Sequence, residues 1–357
     1  MKVAVYAVAL NEGKHVQRFM DSCKGADLVL VGDTGSTDGT PRYLRTLGAK
    51  VIPLSVKPWR FDMARNAVLA ALPASIDWCI ILDLDEVLSE GWRDQLAGVP
   101  DDARRVLHPY IWSHNPDGTD DIRFYVDRIH RRDGFIWRYP GHETLCWYAD
   151  ATERESWRCE GLAIHHWPDP HKSRGSYLGL LEIGYRENPE RAFYYARELY
   201  FHQRWAEAIP ILEKAFEGSG WAPERRYVAL AVAACQEGLG DQGKRLAAIQ
   251  RGIHEEPESP AGFCELARYQ HDRADWADCL IAAEQAVGLL RPNGTHFDDE
   301  KREAMLAYDL GALAAYHLGD FDLARLYGRA AVAAVPDEQR LKANLEFYEH
   351  ARQAVPA

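Results

Sequence analysis

The run Cys79-Ile80-Ile81-Leu82-Asp83-Leu84-Asp85-Glu86 begins as an apolar strand and ends in three acids. Carboxylates this close repel one another, and partial burial adds to the cost of keeping them charged. Something positive should be there to meet them. Period-two geometry sends Asp83 and Asp85 to one side and Leu84 to the other. Oxygen donors of this hardness suit Mg²⁺ or Mn²⁺. Taken alone, such acids also solvate strand ends or cap helices, so this stretch needs companions before it means chemistry.

Companions exist. "NEGKHV" and "DTGSTDGT" combine glycine with small hydroxyl residues, a composition for tight turns. Within the second, Asp38 and Thr40 read as a turn and helix cap, with Pro41 at the first helical position. "FDMARN" sets Asp62, Arg65 and Asn66 within one helical turn, where they form either a functional face or a surface ion pair. "GHETL" supplies His142 and Glu143, two groups able to accept a proton. "GLAIHHW" supplies His165 and His166, which a strand directs to opposite faces, so only one can serve a given ion; a core histidine is the alternative. The basic run Arg128, His130, Arg131, Arg132 and Arg138 is interleaved with aromatics. It suits a diphosphate, an acidic acceptor or nucleic acid, or equally a strand edge blocked by charge.

The elements that must position these groups fall into two grammars. Up to about residue 166, short β-branched runs alternate with amphipathic helical stretches, which predicts a mostly parallel sheet covered by helices. Parallel sheets bind ligands beyond the carboxyl ends of their strands. Those ends here read Asn11-Glu12, Asp33 and Asp83-Leu84-Asp85. After Pro189 only helices are expected. Aligning Ala208, Arg245, Cys279 and Ala324 gives spacings of 37, 34 and 45, around the period of tetratricopeptide repeats, with "RPNGTHFDDEK" as an insertion. Small residues recur seven places on, at Ala215, Gly252, Ala286 and Ala331, and Pro257, Pro292 and Pro336 end three units. A generic helical bundle is the competing reading. The expected domains are 1–188 and 189–357.

Composition sets limits. The net charge of -12 disfavours a general affinity for nucleic acid, although the basic run keeps that contact open. The acid excess is uneven: residues 1–188 hold 23 Lys/Arg against 27 Asp/Glu, the remainder 19 against 27. Seven cysteines form no CxxC pair and no His/Cys zinc spacing, which points to reduced thiols. The first apolar run is short and meets Asn11-Glu12, unlike a signal peptide, and no segment approaches the length of a membrane span. A cytoplasmic protein is expected, and a homo-oligomer stays open.

Taken in order, "VALNEG", "LVGDTGSTDGT" and "FDMARNAVLAALPASIDWCIILDLDE" resemble inverting nucleotide-sugar glycosyltransferases of family 2, with the GT-A fold. The last stretch ends in their DxD motif. The resemblance covers roughly residues 1–170 and is closest to enzymes joined to C-terminal tetratricopeptide repeats, including those that modify bacterial peptides. It implies an α/β, Rossmann-like, mixed but mostly parallel sheet followed by an all-α repeat domain. It implies transfer from a nucleotide sugar, with UDP expected, to a hydroxyl or thiol acceptor on a peptide, protein or surface glycan docked by the repeats. Mn²⁺ or Mg²⁺ is the implied cofactor, held by Asp85 and His166, with Asp83 on the metal through water or on the ribose. Leu10, Glu12, Asp33, Ser36, Asp62 and Arg65 are implied at the nucleotide. Glu86 is assigned to sugar hydroxyls or to orienting its neighbours. Glu143, with His142 second, is implied as the base, although "GHETL" departs from the family's familiar "ED". Transfer to a hydroxylated DNA base, a nucleotidyltransferase and a non-catalytic scaffold are the alternatives.

Overall fold

The alternating pattern of the first half builds a mixed sheet, seen in a computed structural model that describes residues 1–115, 117–147, 156–169, 177–290 and 297–351. Two compact units result, Met1–Gly184 and Tyr185–Ala357.

In the first unit, β1 (Val3–Ala9), α1 (Val16–Ser22), β2 (Leu28–Asp33), α2 (Thr40–Thr46), β3 (Lys50–Pro53), α3 (Phe61–Ala70) and β4 (Trp78–Ile81) follow the expected alternation. Then come β5 (Glu86–Leu88), α4 (Trp92–Ala97), β6 (Arg105–Ile111), β7 (Arg123–Arg131), β8 (Phe135–Arg138), β9 (Thr144–Trp147), β10 (Ser156–Arg158), β11 (Ile164–His166) and α5 (Tyr177–Glu187). The sheet runs β3-β2-β1-β4-β7-β6-β11-β5, with β10 also on β6, while β8 and β9 form a separate hairpin. Strands β1 to β4 pair in parallel, and β7 enters antiparallel to both β4 and β6.

Period two sorts the central strands into two cores. Val3, Val5 and Ala7 pack with Ile80 and Leu82 in one layer, and Ala4 and Tyr6 pack with Cys79 and Ile81 in the other. With both faces covered, the strands read as continuous apolar runs. Gly32 marks a close approach: a Cβ there would lie 2.5 Å from Val68 Cγ2 of α3.

One local expectation changes. The strand predicted through Asp85 stops at Ile81, and the acids sit in a turn closed by Glu86 N–H to Asp83 O at 3.0 Å. The Glu86 carboxylate fixes that turn by accepting the Asp83 N–H at 2.8 Å. Leu84 is still buried and Asp83 and Asp85 still partly exposed, now because of the turn rather than the pleat.

The second unit stacks helical hairpins like tetratricopeptide repeats: α6 (Ala192–Phe201) with α7 (Trp205–Gly218), α8 (Ala222–Gly238) with α9 (Gln242–Glu255), α10 (Pro260–Asp272) with α11 (Trp276–Leu289), and α12 (Glu300–His317) with α13 (Phe321–Ala334). α14 (Gln339–His350) closes the series against α13. Ala208, Arg245, Cys279 and Ala324 are all buried at one repeat position, as are Ala215, Gly252, Ala286 and Ala331 at the other. Each hairpin turns through one left-handed residue, at Gln203, Gly240, Ala274 and Gly319. An N-cap aspartate then opens the second helix at Asp241, Asp275 and Asp320. Pro292 and the start of the expected insertion lie outside the described residues. Among the described residues no helix is long and apolar enough to cross a membrane.

Candidate active site

Each of the three acids meets a different basic side chain. Asp83 accepts from Arg65 Nη2 at 3.2 and 3.3 Å. Glu86 pairs with the Arg128 guanidinium and accepts the Tyr110 hydroxyl at 2.5 Å. Asp85 Oδ2 lies 3.7 Å from His166 Nε2.

Glu86 is only 1% exposed, and its carboxylate holds its neighbours by accepting the Asp83 N–H and the Tyr110 hydroxyl. Burial pushes its carboxyl pKa up while Arg128 opposes. The same pairing raises Arg128 against the effect of its own burial.

Arg65 projects from the first turns of α3, which is pinned to β8 because Asn66 exchanges two 2.8 Å hydrogen bonds with the Trp137 backbone. Its guanidinium lies over the Trp137 ring at 5.0 Å and also stands 4.0 Å from Glu143 Oε2. Burial acts to lower the Arg65 pKa, but Asp83 and Glu143 outweigh it and the group is held charged. Arg65 is therefore no surface ion-pair member. Asp62 is buried as well and binds Arg60 at 2.9 Å, a partner the sequence spacing had not singled out.

Glu143 sits on the loop from β8 to β9, whose Tyr139 and His142 hold left-handed backbone. Its Oε1 is buried and has no hydrogen-bond partner among the described residues. Burial raises its pKa, with Arg65 opposing. A desolvated carboxyl beside a charge partner is the arrangement of a proton acceptor. His142 turns instead toward Tyr177, ring against ring at 5.5 Å.

Beyond the ends of β1 and β2, backbone and side chains lace two loops together. Ser36 Oγ accepts the Asn11 N–H at 2.8 Å, and Asn11 Oδ1 accepts the Thr37 N–H at 2.7 Å. Asp33 accepts from Gly35 and Ser36, while Asp38 accepts from Gly13 and Thr40. Asp38 thus makes the turn at the start of α2 that the sequence indicates, through Thr40, and also staples the two loops through Gly13. Leu10 stands beside them, 52% exposed.

His15 was not singled out by sequence reasoning. It is buried, 3.9 Å from Glu12, and its Nε2 has no hydrogen-bond partner among the described residues. Burial lowers its pKa, while Asp85 acts to raise it, so the ring lies within electrostatic reach of the central acid.

Four members of the basic run are committed to partners within the fold, while Arg138 is exposed. Arg128 serves Glu86, Arg131 covers Trp78 and binds the Ala103 and Asp101 carbonyls, and Arg132 binds the Leu72 carbonyl. His130 is fully buried against the Tyr6 hydroxyl, its pKa lowered to about 4 by desolvation. Sequence could not show this, because the partners come from strands and loops far along the chain.

The adjacent histidines separate as a strand requires. His166 faces Asp85, with Nδ1 3.4 Å from the Trp112 carbonyl; donation there leaves the Nε2 lone pair toward the carboxylate. One carboxylate oxygen and one imidazole nitrogen converging in this way fit a shared divalent cation. His165 faces His114 and Asp120.

Residues 5–153 match the model of Glycosyl transferase family 2. An uncharacterized glycosyltransferase of Rickettsia felis is 31% identical over 134 residues, 37% of this chain and 42% of that protein. A TPR repeat-containing protein of Synechococcus elongatus is 27% identical over 175 residues, 47% of this chain and 41% of its own. The lipopolysaccharide core biosynthesis glycosyltransferase LpsC of Rhizobium meliloti is 24% identical over 133 residues, 34% of this chain and 49% of its own. The matched stretches span less than half of each relative.

Proposed function

We propose, on the footing of a family 2 glycosyltransferase domain at residues 5–153, that this chain moves a sugar from a UDP-sugar to a hydroxyl acceptor with inversion at the sugar carbon. The observation that carries the reading is Glu143: a buried carboxyl with one unpartnered oxygen, tied through Arg65 to Asp83. In this reading Glu143 takes the acceptor proton, and its raised pKa makes it a stronger base than an exposed carboxylate. Arg65 holds Glu143 and Asp83 in one frame and sets their spacing. Glu12, Asp33 and Ser36 border the nucleotide, with Leu10 against the base.

Asp85 and His166, with Asp83 nearby, would hold Mn²⁺ or Mg²⁺, which supplies Lewis-acid stabilisation to the departing diphosphate. The helical hairpins would dock a peptide or protein acceptor. A surface glycan is the second acceptor class, favoured by the similarity to a protein of lipopolysaccharide core biosynthesis.

A thermal-shift screen of nucleotide sugars with and without Mn²⁺ tests the donor, since a ligand that binds the native state raises the melting temperature. UDP-sugars should stabilise only with the cation. Equal shifts without it, or release of pyrophosphate from a nucleoside triphosphate, would remove the reading.

A further inference from the structure

His165 is the histidine of the pair that the transfer reaction leaves unused, and the fold gives it company from another part of the chain. The hairpin joining β6 to β7 closes through a bridge between His114 and Asp120. This places His114 Nε2 3.1 Å from His165 Nδ1, and Asp120 Oδ1 4.0 Å from the same nitrogen. One ligand atom from each of the three residues lies within 4.8 Å of the others. The His114 plane is set by Trp167, whose ring stacks on it at 3.8 Å and 5°.

We propose that His114, Asp120 and His165 form a second cation site, for zinc or a similar first-row transition ion, distinct from the Asp85–His166 site. Two imidazole nitrogens facing each other at hydrogen-bond distance share either a proton or a metal. A carboxylate converging on the same point is what a metal needs. Ligand atoms about 2 Å from one tetrahedral ion lie a little over 3 Å apart, so the observed spacing closes with a small movement of Asp120. Asp120 is 42% exposed, which leaves room for water as a further ligand.

The donor sets divide the metals. Two imidazoles and one carboxylate select zinc, cobalt or nickel, whereas the acid-rich Asp83–Asp85 turn suits magnesium or manganese. No zinc spacing announces the site in the sequence, because its ligands come from a hairpin and from a strand over forty residues on. The site is also coupled to the first. Trp167, stacked on His114, donates its backbone N–H to the Asp85 carbonyl at 2.8 Å. An ion that clamps the hairpin onto β11 therefore steadies the segment beside Asp85.

The test is a Co²⁺ and Zn²⁺ titration of the full chain. Tetrahedral or five-coordinate Co²⁺ should give visible absorption that one equivalent of Zn²⁺ abolishes. His114→Gln and His165→Gln should each weaken Zn²⁺ by more than about tenfold, the lower bound for losing even an outer partner of a metal site. Asp85→Asn should keep Zn²⁺ binding and lose the Mn²⁺ effect. Circular dichroism establishes that each variant folds; if His165→Gln does not, His114→Gln, confined to the hairpin, decides alone. No cobalt spectrum in the wild type, or unchanged zinc affinity in the folded variants, overturns the site. Neither outcome depends on a sugar donor, so this result and the glycosyltransferase reading stand or fall separately.

Discussion

At the scale of single residues, the desolvation of Glu143 bears on both its proposed role as base and the stability of the fold. Its folded pKa is raised by burial, so its contribution to stability is full below the unfolded carboxyl pKa and is lost as pH rises through the folded value. At neutral pH the charged form therefore costs the fold, and Glu143→Gln should melt higher than wild type there, with the advantage shrinking in acid. The same substitution should lower the transfer rate by roughly 10²- to 10⁴-fold, the range for a lost general base. Wild-type kcat/KM should fall on the acid side with an apparent pKa above that of an ordinary carboxylate, read from a pH–rate profile. Asp85→Asn should cost at least about a hundredfold in Mn²⁺-dependent turnover, since Lewis-acid stabilisation is worth several kcal/mol. Unchanged turnover in that variant would sink the metal assignment. The acids were legible in the sequence because they interrupt an apolar run. His15 and the Glu86–Arg128 pair were not, because they depend on which distant elements meet.

At the scale of elements, the reading from sequence was good where apolar periodicity was long. The expected strand–helix alternation appears as β1 to β4 with α1 to α3 between them, and the recurring small residues of the helical half all turn inward. It was weak where elements are short or held by side chains. β5 and β10 have three residues each, and the Asp83–Glu86 turn replaces the end of a predicted strand because a carboxylate caps the backbone. Close approach of β2 to α3 gives a direct check. Gly32→Ala would bring a methyl against Val68, with Leu54 at 3.2 Å, and should destabilise the fold by about 1–3 kcal/mol in urea unfolding. A neutral result would mean that α3 shifts freely, and with it the frame that Arg65 supplies.

At the scale of the whole molecule, the two units use different physics. The sheet unit rests on large apolar cores, whereas the hairpin unit packs small residues around a few buried charges. Arg226 is 1% exposed and bridges Glu256 at 2.7 Å and Asp298 at 2.5 Å. Arg226→Ala would leave those acids without their cation and should cost about 3–5 kcal/mol, typical of breaking a buried pair. Hydrogen exchange should show the loss in α8 through α13 while amides of β1 and β4 stay protected. Uniform loss across both units would contradict this division. A last consequence concerns the course of the chain through the acids. It leaves β4 in the middle of the sheet order and re-enters as β5 at its margin after Leu82–Asp85 alone, so the acids lie on a short strap that links the centre of the sheet to its rim. Loading that strap with donor and cation would tension it, and the quietest evidence would come from the rim: β5 and β11, too brief to resist fraying, should become slow to exchange although no ligand touches their backbone.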